Sequence, residues 1–206
     1  MLQLTRAKED GRTNTKDRQY LRLIKDRNLA ELIGIILGDG NLYKHLRTEN
    51  LRITVNSRDK YYIYHIVNLI ESVFKKRPSV AKRKGKQAVS INLYQNQISK
   101  RLGIPAGDKI RNNVSIPSWI ISNKKYIIRC LKGLFETDGC FQEDTANYAQ
   151  YIEFKNNCGM LLKDTYALVS RLGFHPQYGS NYIRLAKRDE VYRFKDLIEF
   201  RHYIAL

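Results

Sequence analysis

Two carboxylates stand in matching surroundings 99 residues apart. Asp39 closes the stretch Leu32-Ile33-Gly34-Ile35-Ile36-Leu37-Gly38-Asp39-Gly40, and Asp138 closes Leu131-Lys132-Gly133-Leu134-Phe135-Glu136-Thr137-Asp138-Gly139. Gly34 and Gly38 fall four apart, as do Gly133 and Thr137, so each pair lies on one face of a helix. Small residues at that spacing let two helix backbones approach closely. A carboxylate at the C-terminal end of an apolar helix faces the negative pole of the helix dipole. If the two helices pair, Asp39 and Asp138 meet as like charges, which is unfavourable unless a cation lies between them. Hard oxygen ligands favour Mg²⁺. One Gly-Asp-Gly alone reads equally well as a helix stop and tight turn; two copies with the same glycine, apolar and acidic positions point to one site built from two halves.

The chain has 206 residues, 43% of them hydrophobic, enough for one large globular domain or two half-sized ones. Lys and Arg number 37 against 20 Asp and Glu, a formal net charge of +17. That excess implies a polyanionic partner, nucleic acid before membrane. Residues 1–121 carry 24 basic and 10 acidic side chains, residues 122–206 carry 13 and 10, so the first half should supply more of the attraction. No apolar run approaches a membrane span and no signal peptide is visible. Cys130, Cys140 and Cys158 lack metal-ligand spacing and fit an intracellular, reducing compartment such as cytoplasm or an organelle matrix.

The elements that must position the carboxylates repeat in order. Residues 1–28 form a basic N-terminal extension, with a loop at Gly11 to Thr15 and a helical lead-in from Lys16. The first repeat covers 29–103, with strands at 41–47 and 51–57 after the motif helix. An amphipathic helix follows, carrying Tyr62, Ile66, Leu69, Ile70 and Val73. A hairpin then pairs 78–83 with 88–94 around Lys84-Gly85-Lys86, and a short helix spans 95–102. An extended linker covers 104–125. The second repeat, 126–206, has helix 126–138, strands 140–144 and 149–155, helix 159–172, strands 175–179 and 182–187, and helix 189–203. The 99-residue register is expected to continue, mapping Ile53 to Ile152 and Asn56 to Lys155. The fold class is therefore α+β: two pseudo-symmetric αββαββα repeats, each a four-stranded antiparallel sheet with helices on one face.

Alternation along the strands defines the other face of each sheet. In the first repeat it carries Arg52, Thr54, Asn56, Ser90, Asn92 and Tyr94; in the second, Tyr151, Glu153, Lys155, Tyr182 and Arg184, with Lys187 just beyond. Such a face could simply be solvated, but these side chains suit base edges and phosphates, and the net charge favours DNA. Lys82, Arg83, Lys84 and Lys86, with Lys75, Lys76 and Arg77 nearby, read either as a solvated charge run or as a phosphate anchor.

These motifs and their order resemble the LAGLIDADG homing endonucleases in their single-chain, two-motif form. The resemblance runs from about Ala30 to the C-terminus and rests on Leu32–Gly40, on Leu131–Gly139, on the repeat plan and on the Lys109 to Pro117 stretch. It implies two motif helices packed at a central pseudo-two-fold axis, with the sheets forming a saddle over the DNA major groove. It implies that Asp39 and Asp138 bind metal with the backbone carbonyls of Gly38 and Thr137, and that Lys109, Lys155 and Asn56 stand around the active-site waters. Lys109 also reads as an ordinary linker lysine. The expected cofactor is Mg²⁺ or Mn²⁺, with Ca²⁺ able to fill the site without supporting cleavage. The expected activity is site-specific hydrolysis of both strands of a long double-stranded DNA target by a monomer, in the service of intron homing. A group I intron RNA maturase and a non-cleaving DNA-binding regulator of the same fold are the alternatives. His45, His65, His175 and His202 show no spacing that suggests a general-base dyad.

Overall fold

The computed structural model describes residues 20, 22–144 and 149–202. The expected loop at Gly11 to Thr15 lies outside the described residues, as does the start of the helical lead-in from Lys16; its described part, residues 20 and 22–26, is not helical, because Asp26 caps the helix that begins at Arg27.

Helix α1 (Arg27–Gly38) starts where Asp26 Oδ1 accepts the Leu29 backbone N–H at 2.8 Å. Every residue from Leu29 to Gly38 is buried, so the helix lies within the molecule rather than on its surface. Its partner is α5 (Lys124–Asp138), capped by Asn123 through the Lys125 N–H. The glycines explain how closely the two run: a Cβ on Gly34 would overlap the Cys130 carbonyl oxygen, and one on Gly133 would overlap that of Glu31. At the C-terminal ends, a Cβ on Gly38 would overlap the Thr137 hydroxyl. Buried Glu31 pairs with Arg129 across the helix pair and with His65 Nε2 at 2.5 Å, which ties a third helix to it. An apolar seam alone would not pin the helices so specifically.

Strands β1 (Gly40–Lys44) and β2 (Glu49–Asn56) follow α1, then α2 (Lys60–Phe74), β3 (Ser79–Lys82), β4 (Ala88–Gln95) and the short α3 (Ile98–Leu102). The sheet order is β1-β2-β4-β3, antiparallel throughout. Leu51, Ile53 and Val55 on β2 and Val89, Ile91 and Leu93 on β4 enter the core. The second repeat has β5 (Gly139–Asp144), β6 (Ala149–Lys155), α6 (Gly159–Arg171), β7 (Gln177–Tyr178), β8 (Tyr182–Leu185) and α7 (Arg188–Leu197), with sheet order β5-β6-β8-β7. Its strands bury Ile152, Phe154, Ile183 and Leu185. Among the described residues no helix is long and apolar enough to cross a membrane.

Three further expectations differ from the structure. The linker holds a one-turn helix, α4 (Ser118–Ile121), started by Pro117. The last helix stops at Leu197, with Glu199 and Arg201 in left-handed conformation. Left-handed Glu199 closes the helix with Phe200 N–H on the Lys195 carbonyl, and buried Lys132 Nζ holds the chain beyond by donating to the carbonyls of Glu199 (3.0 Å) and His202 (3.3 Å). Finally, the repeat register changes after the hairpin. Gly40 pairs with Ile53 whereas Gly139 pairs with Phe154, so the offset is 99 on the first strand and 101 on the second. Ile53 therefore corresponds to Phe154, not Ile152, because the second hairpin has one more rung, and Asn56 does not correspond to Lys155. A shift of two preserves every side chain's face.

Candidate functional site

The C-terminal ends of α1 and α5 bring Asp39 and Asp138 together, each directly ahead of the first strand of its own sheet. Burial raises the Asp39 carboxyl above the ordinary range, the neighbouring Asp138 raises it further, and Lys109 works the other way. Asp138 is also raised by burial, against a hydrogen bond from Asn156 and the charge of Lys109. Burial lowers the Lys109 ammonium, and the two carboxylates pull it back up. The three groups thus share one partly desolvated pocket in which negative charge accumulates at a cost.

Lys109 is no idle linker residue. Its Nζ donates to the carbonyls of Gly38 and Leu37 (2.9 Å for Leu37), with the Ile36 oxygen at 3.5 Å. It meets the last carbonyls of α1, which have no partner within the helix. The linker is built to hold it there. Ile104, Val114 and Ile116 are buried on either side. Asp108 Oδ1 accepts the backbone N–H groups of Ile110 and Arg111, and Asp164 Oδ2 accepts the Ser115 hydroxyl at 2.6 Å and the Ile116 N–H at 2.9 Å. Gly107 N–H donates to the Leu42 carbonyl, which ties the linker to β1.

Asn56 and Lys155, expected near the reacting water, form no hydrogen bond or ion pair with either carboxylate among the described residues. Lys155 Nζ pairs with Glu153 at 2.9 Å on the polar sheet face. Asn56 Oδ1 accepts the Arg58 N–H in a local turn. The side chain that does reach Asp138 is Asn156, whose Nδ2 donates to Asp138 Oδ2 at 2.7 Å while its Oδ1 accepts the Cys158 N–H. Alternation could have revealed it: Ile152 and Phe154 point inward, so position 156 points inward too, and a polar residue there needs a partner. By strand pairing the matching position in the first repeat is Val55, which has no donor. The two half-sites are therefore chemically unequal.

The donor set fits a hard divalent cation: two carboxylates crowded in a desolvated pocket, with backbone carbonyls at the same helix ends. The Gly38 carbonyl already accepts from Lys109, and the Thr137 hydroxyl donates back to its own helix at Leu134 (2.8 Å). Among the described residues no group of three or more His, Cys, Asp or Glu side chains is placed to hold a metal. The chain thus offers two carboxylates, and the remaining ligands would come from carbonyls, water and phosphate. His65 is engaged by Glu31, and His175 by Glu190 at 2.8 Å.

The polar sheet faces carry the expected residues, but three of them are buried rather than exposed: Ser90, Asn92 and Glu153. They lie on interior strands, where longer neighbours cover short or recessed side chains. Arg52 Nε donates to Asn92 Oδ1 at 3.1 Å, and Arg184 Nε donates to Glu153 Oε2 at 2.8 Å. Thr54, Tyr151, Tyr182 and Arg184 are half-buried, while Asn56, Tyr94 and Lys155 are exposed. Lys82, Arg83, Lys84 and Lys86 are exposed around the β3–β4 turn, where Gly85 takes a positive φ of 71°. Lys187 is exposed at the start of α7, 3.5 Å from Glu190.

Residues 125–204 match the model of the LAGLIDADG-like domain. No curated protein matches the chain. The fold is similar to that of the homing endonuclease I-DmoI in complex with DNA and Mn (TM-score 0.57, 18% identity, covering 85% of this chain and 98% of that one). An I-DmoI variant in complex with its target DNA in the presence of Mg gives a TM-score of 0.57 at 18% identity, covering 85% and 97%. The N-terminal LAGLIDADG domain of DUF199/WhiA gives 0.59 at 14% identity, covering 86% and 83%. At such identities the likeness is one of fold. Residues 125–204 thus resemble a LAGLIDADG-like domain, and the two repeats together have the LAGLIDADG homing endonuclease fold.

Proposed function

We propose that the protein is a metal-dependent endonuclease that hydrolyses both strands of a specific double-stranded DNA site. The observation that carries this reading is the meeting of Asp39 and Asp138 beside Lys109 at the ends of two packed helices, each leading straight into a polar-faced sheet. A pure binding protein gains nothing from two carboxylates forced into a shared desolvated pocket, which repels a polyanion.

Asp39 and Asp138 would hold the metal, Mg²⁺ or Mn²⁺, with the Thr137 carbonyl and, once Lys109 yields it, the Gly38 carbonyl. Such an ion supplies charge neutralisation at the phosphoryl oxygens and lowers the pKa of water. The chain's own residues do the rest. Asn156 fixes the orientation of Asp138 through its amide. Lys109 provides a cationic donor within reach of the carboxylates, suited to charge that develops on a scissile phosphate. The sheets fix the duplex, and the unequal half-sites mean that the two strands meet different surroundings. Intron homing and action as a monomer belong to the same proposal.

Cleavage of a randomised duplex library with Mg²⁺, repeated with EDTA and with Asp39→Asn and Asp138→Asn, tests it. The expected result is cleavage of one sequence class by the wild type only, with DNA binding retained by both variants. Binding without cleavage under every condition would support the regulator instead. Preference for structured intron RNA over any duplex would support the maturase.

A further inference from the structure

The polar faces hold one arginine each in a prepared position, on the same rung of the two sheets. Arg52 lies opposite Asn92, and Glu153 lies opposite Arg184. Each rung is the one next to the Gly40–Ile53 or Gly139–Phe154 pair, and so two residues along the first strand from Asp39 or Asp138. In the first sheet Asn92 Oδ1 takes the Arg52 Nε–H, and the Tyr43 ring lies 5.1 Å from the guanidinium carbon. In the second, Glu153 Oε2 takes both Nε and Nη2 of Arg184, which lies 4.4 Å from the Tyr151 ring centroid and 5.0 Å from that of Tyr182. Asn92 is itself held, donating from Nδ2 to the Ser90 carbonyl, and the second Glu153 oxygen takes Lys155.

We infer that Arg52 and Arg184 are the guanine readers of the two half-sites, each presenting its outward pair of N–H donors to O6 and N7 of a guanine near the cut. The inference rests on the reading of the sheets as a duplex-binding surface and gives that surface a base preference. The partner engages Nε of Arg52, and Nε and one side of Nη2 of Arg184; among the described residues the N–H groups along the Nη1–Nη2 edge make no further hydrogen bond in either arginine. That fork matches the guanine major-groove edge bidentately. A flexible surface arginine would lose much side-chain freedom on binding; these two are already ordered by a partner and an aromatic face. The charge pattern favours a base over a phosphate for Arg184 in particular. Glu153, only 2% exposed, sets one negative charge against Arg184 and Lys155, so it weakens without cancelling the attraction of Arg184 for a phosphate, while the guanidinium donors remain. Arg52 has a neutral amide for a partner and keeps its charge, so it should add to salt-dependent affinity as well. The closeness of both rungs to the carboxylates places the guanines in the inner part of each half-site.

The test is selection of bound sequences from a randomised duplex library in EDTA, with the wild type, Arg52→Lys, Arg184→Lys and Asn92→Ala. The wild type should enrich guanine at one inner position in each half. Arg52→Lys should relax that preference about tenfold to a hundredfold in one half only, and Arg184→Lys in the other. Asn92→Ala should relax the Arg52 position with a smaller loss, because the arginine remains but is no longer held. Lysine keeps the charge, so a uniform weakening across all sequences with unchanged base preference would make these residues phosphate contacts and overturn the inference. Enrichment of a duplex motif without inner guanines overturns it while leaving the DNA reading intact, whereas failure to enrich any duplex overturns both.

Discussion

At the residue scale, most of the polar groups that matter are buried and partnered, and their partners decide their behaviour. Glu153 shows this most clearly. Burial alone would raise its carboxyl, but the hydrogen bonds and charges of Lys155 and Arg184 outweigh that and hold it below the ordinary range. A carboxyl depressed in the folded state adds stability that is present above its unfolded pKa of about 4.3 and is lost as pH falls toward the folded value. Thermal midpoints of the wild type should therefore fall as pH drops below about 4, in part through this group. Glu153→Gln should lower the midpoint at neutral pH and show a shallower acid decline. Identical acid slopes for the two proteins would mean that the Glu153 cluster contributes nothing to acid stability. Burial acts in the same direction on Asp39 and Asp138, but there it outweighs the favourable partners, so both carboxyls lie above the ordinary range, the reverse of Glu153. The carboxylate pair was legible in the sequence because its surroundings recur. Asn156 was overlooked because it lies next to a conspicuous lysine; the alternation of Ile152 and Phe154 turns it inward, but only the folded chain shows that its partner there is Asp138.

At the element scale, the α1–α5 pair sets where everything else goes. Gly34 and Gly133 meet the opposing backbone itself, not the movable tip of a side chain, so an added methyl cannot be accommodated by a rotamer change. Gly34→Ala should destabilise the protein by up to about 2 kcal/mol, since a contact unable to relax puts the overpacking cost at the upper end of about 1–3 kcal/mol, against a gain of about 1 kcal/mol in helix propensity. Gly159→Ala provides the control: nothing lies within 4 Å of its Cβ position, and it should be neutral or slightly stabilising. Denaturant midpoints would decide, and a Gly34 variant as stable as the Gly159 variant would refute close backbone packing. The order of helices and strands could be read from period and turn residues, because both are local. The rest depended on distant contacts. The chain beyond α7 is held by Lys132, α4 is too short to show a period, and the two-residue change of register leaves the hydrophobic pattern intact.

At the scale of the whole molecule, two repeats of one plan have diverged in charge and in detail. β7 has two residues where β3 has four, and Asn156 stands where the first repeat has Val55. The first 121 residues hold 24 of the 37 basic side chains, and four of these, Lys82, Arg83, Lys84 and Lys86, surround a single exposed turn. If both sheets lie on one duplex, this turn is the strongest electrostatic contact and acts without regard to sequence. Each phosphate it neutralises should contribute about 0.9 to the slope of log affinity against log salt. Replacing all four by Gln should reduce that slope by roughly 2–4, weaken binding to every duplex alike and leave the base preference of the selected site unchanged. Affinity titrations across a range of salt concentrations, on the selected site and on an unrelated duplex, measure both effects. An unchanged slope would mean that the turn is merely solvated and that the attraction implied by the net charge resides elsewhere on the first repeat.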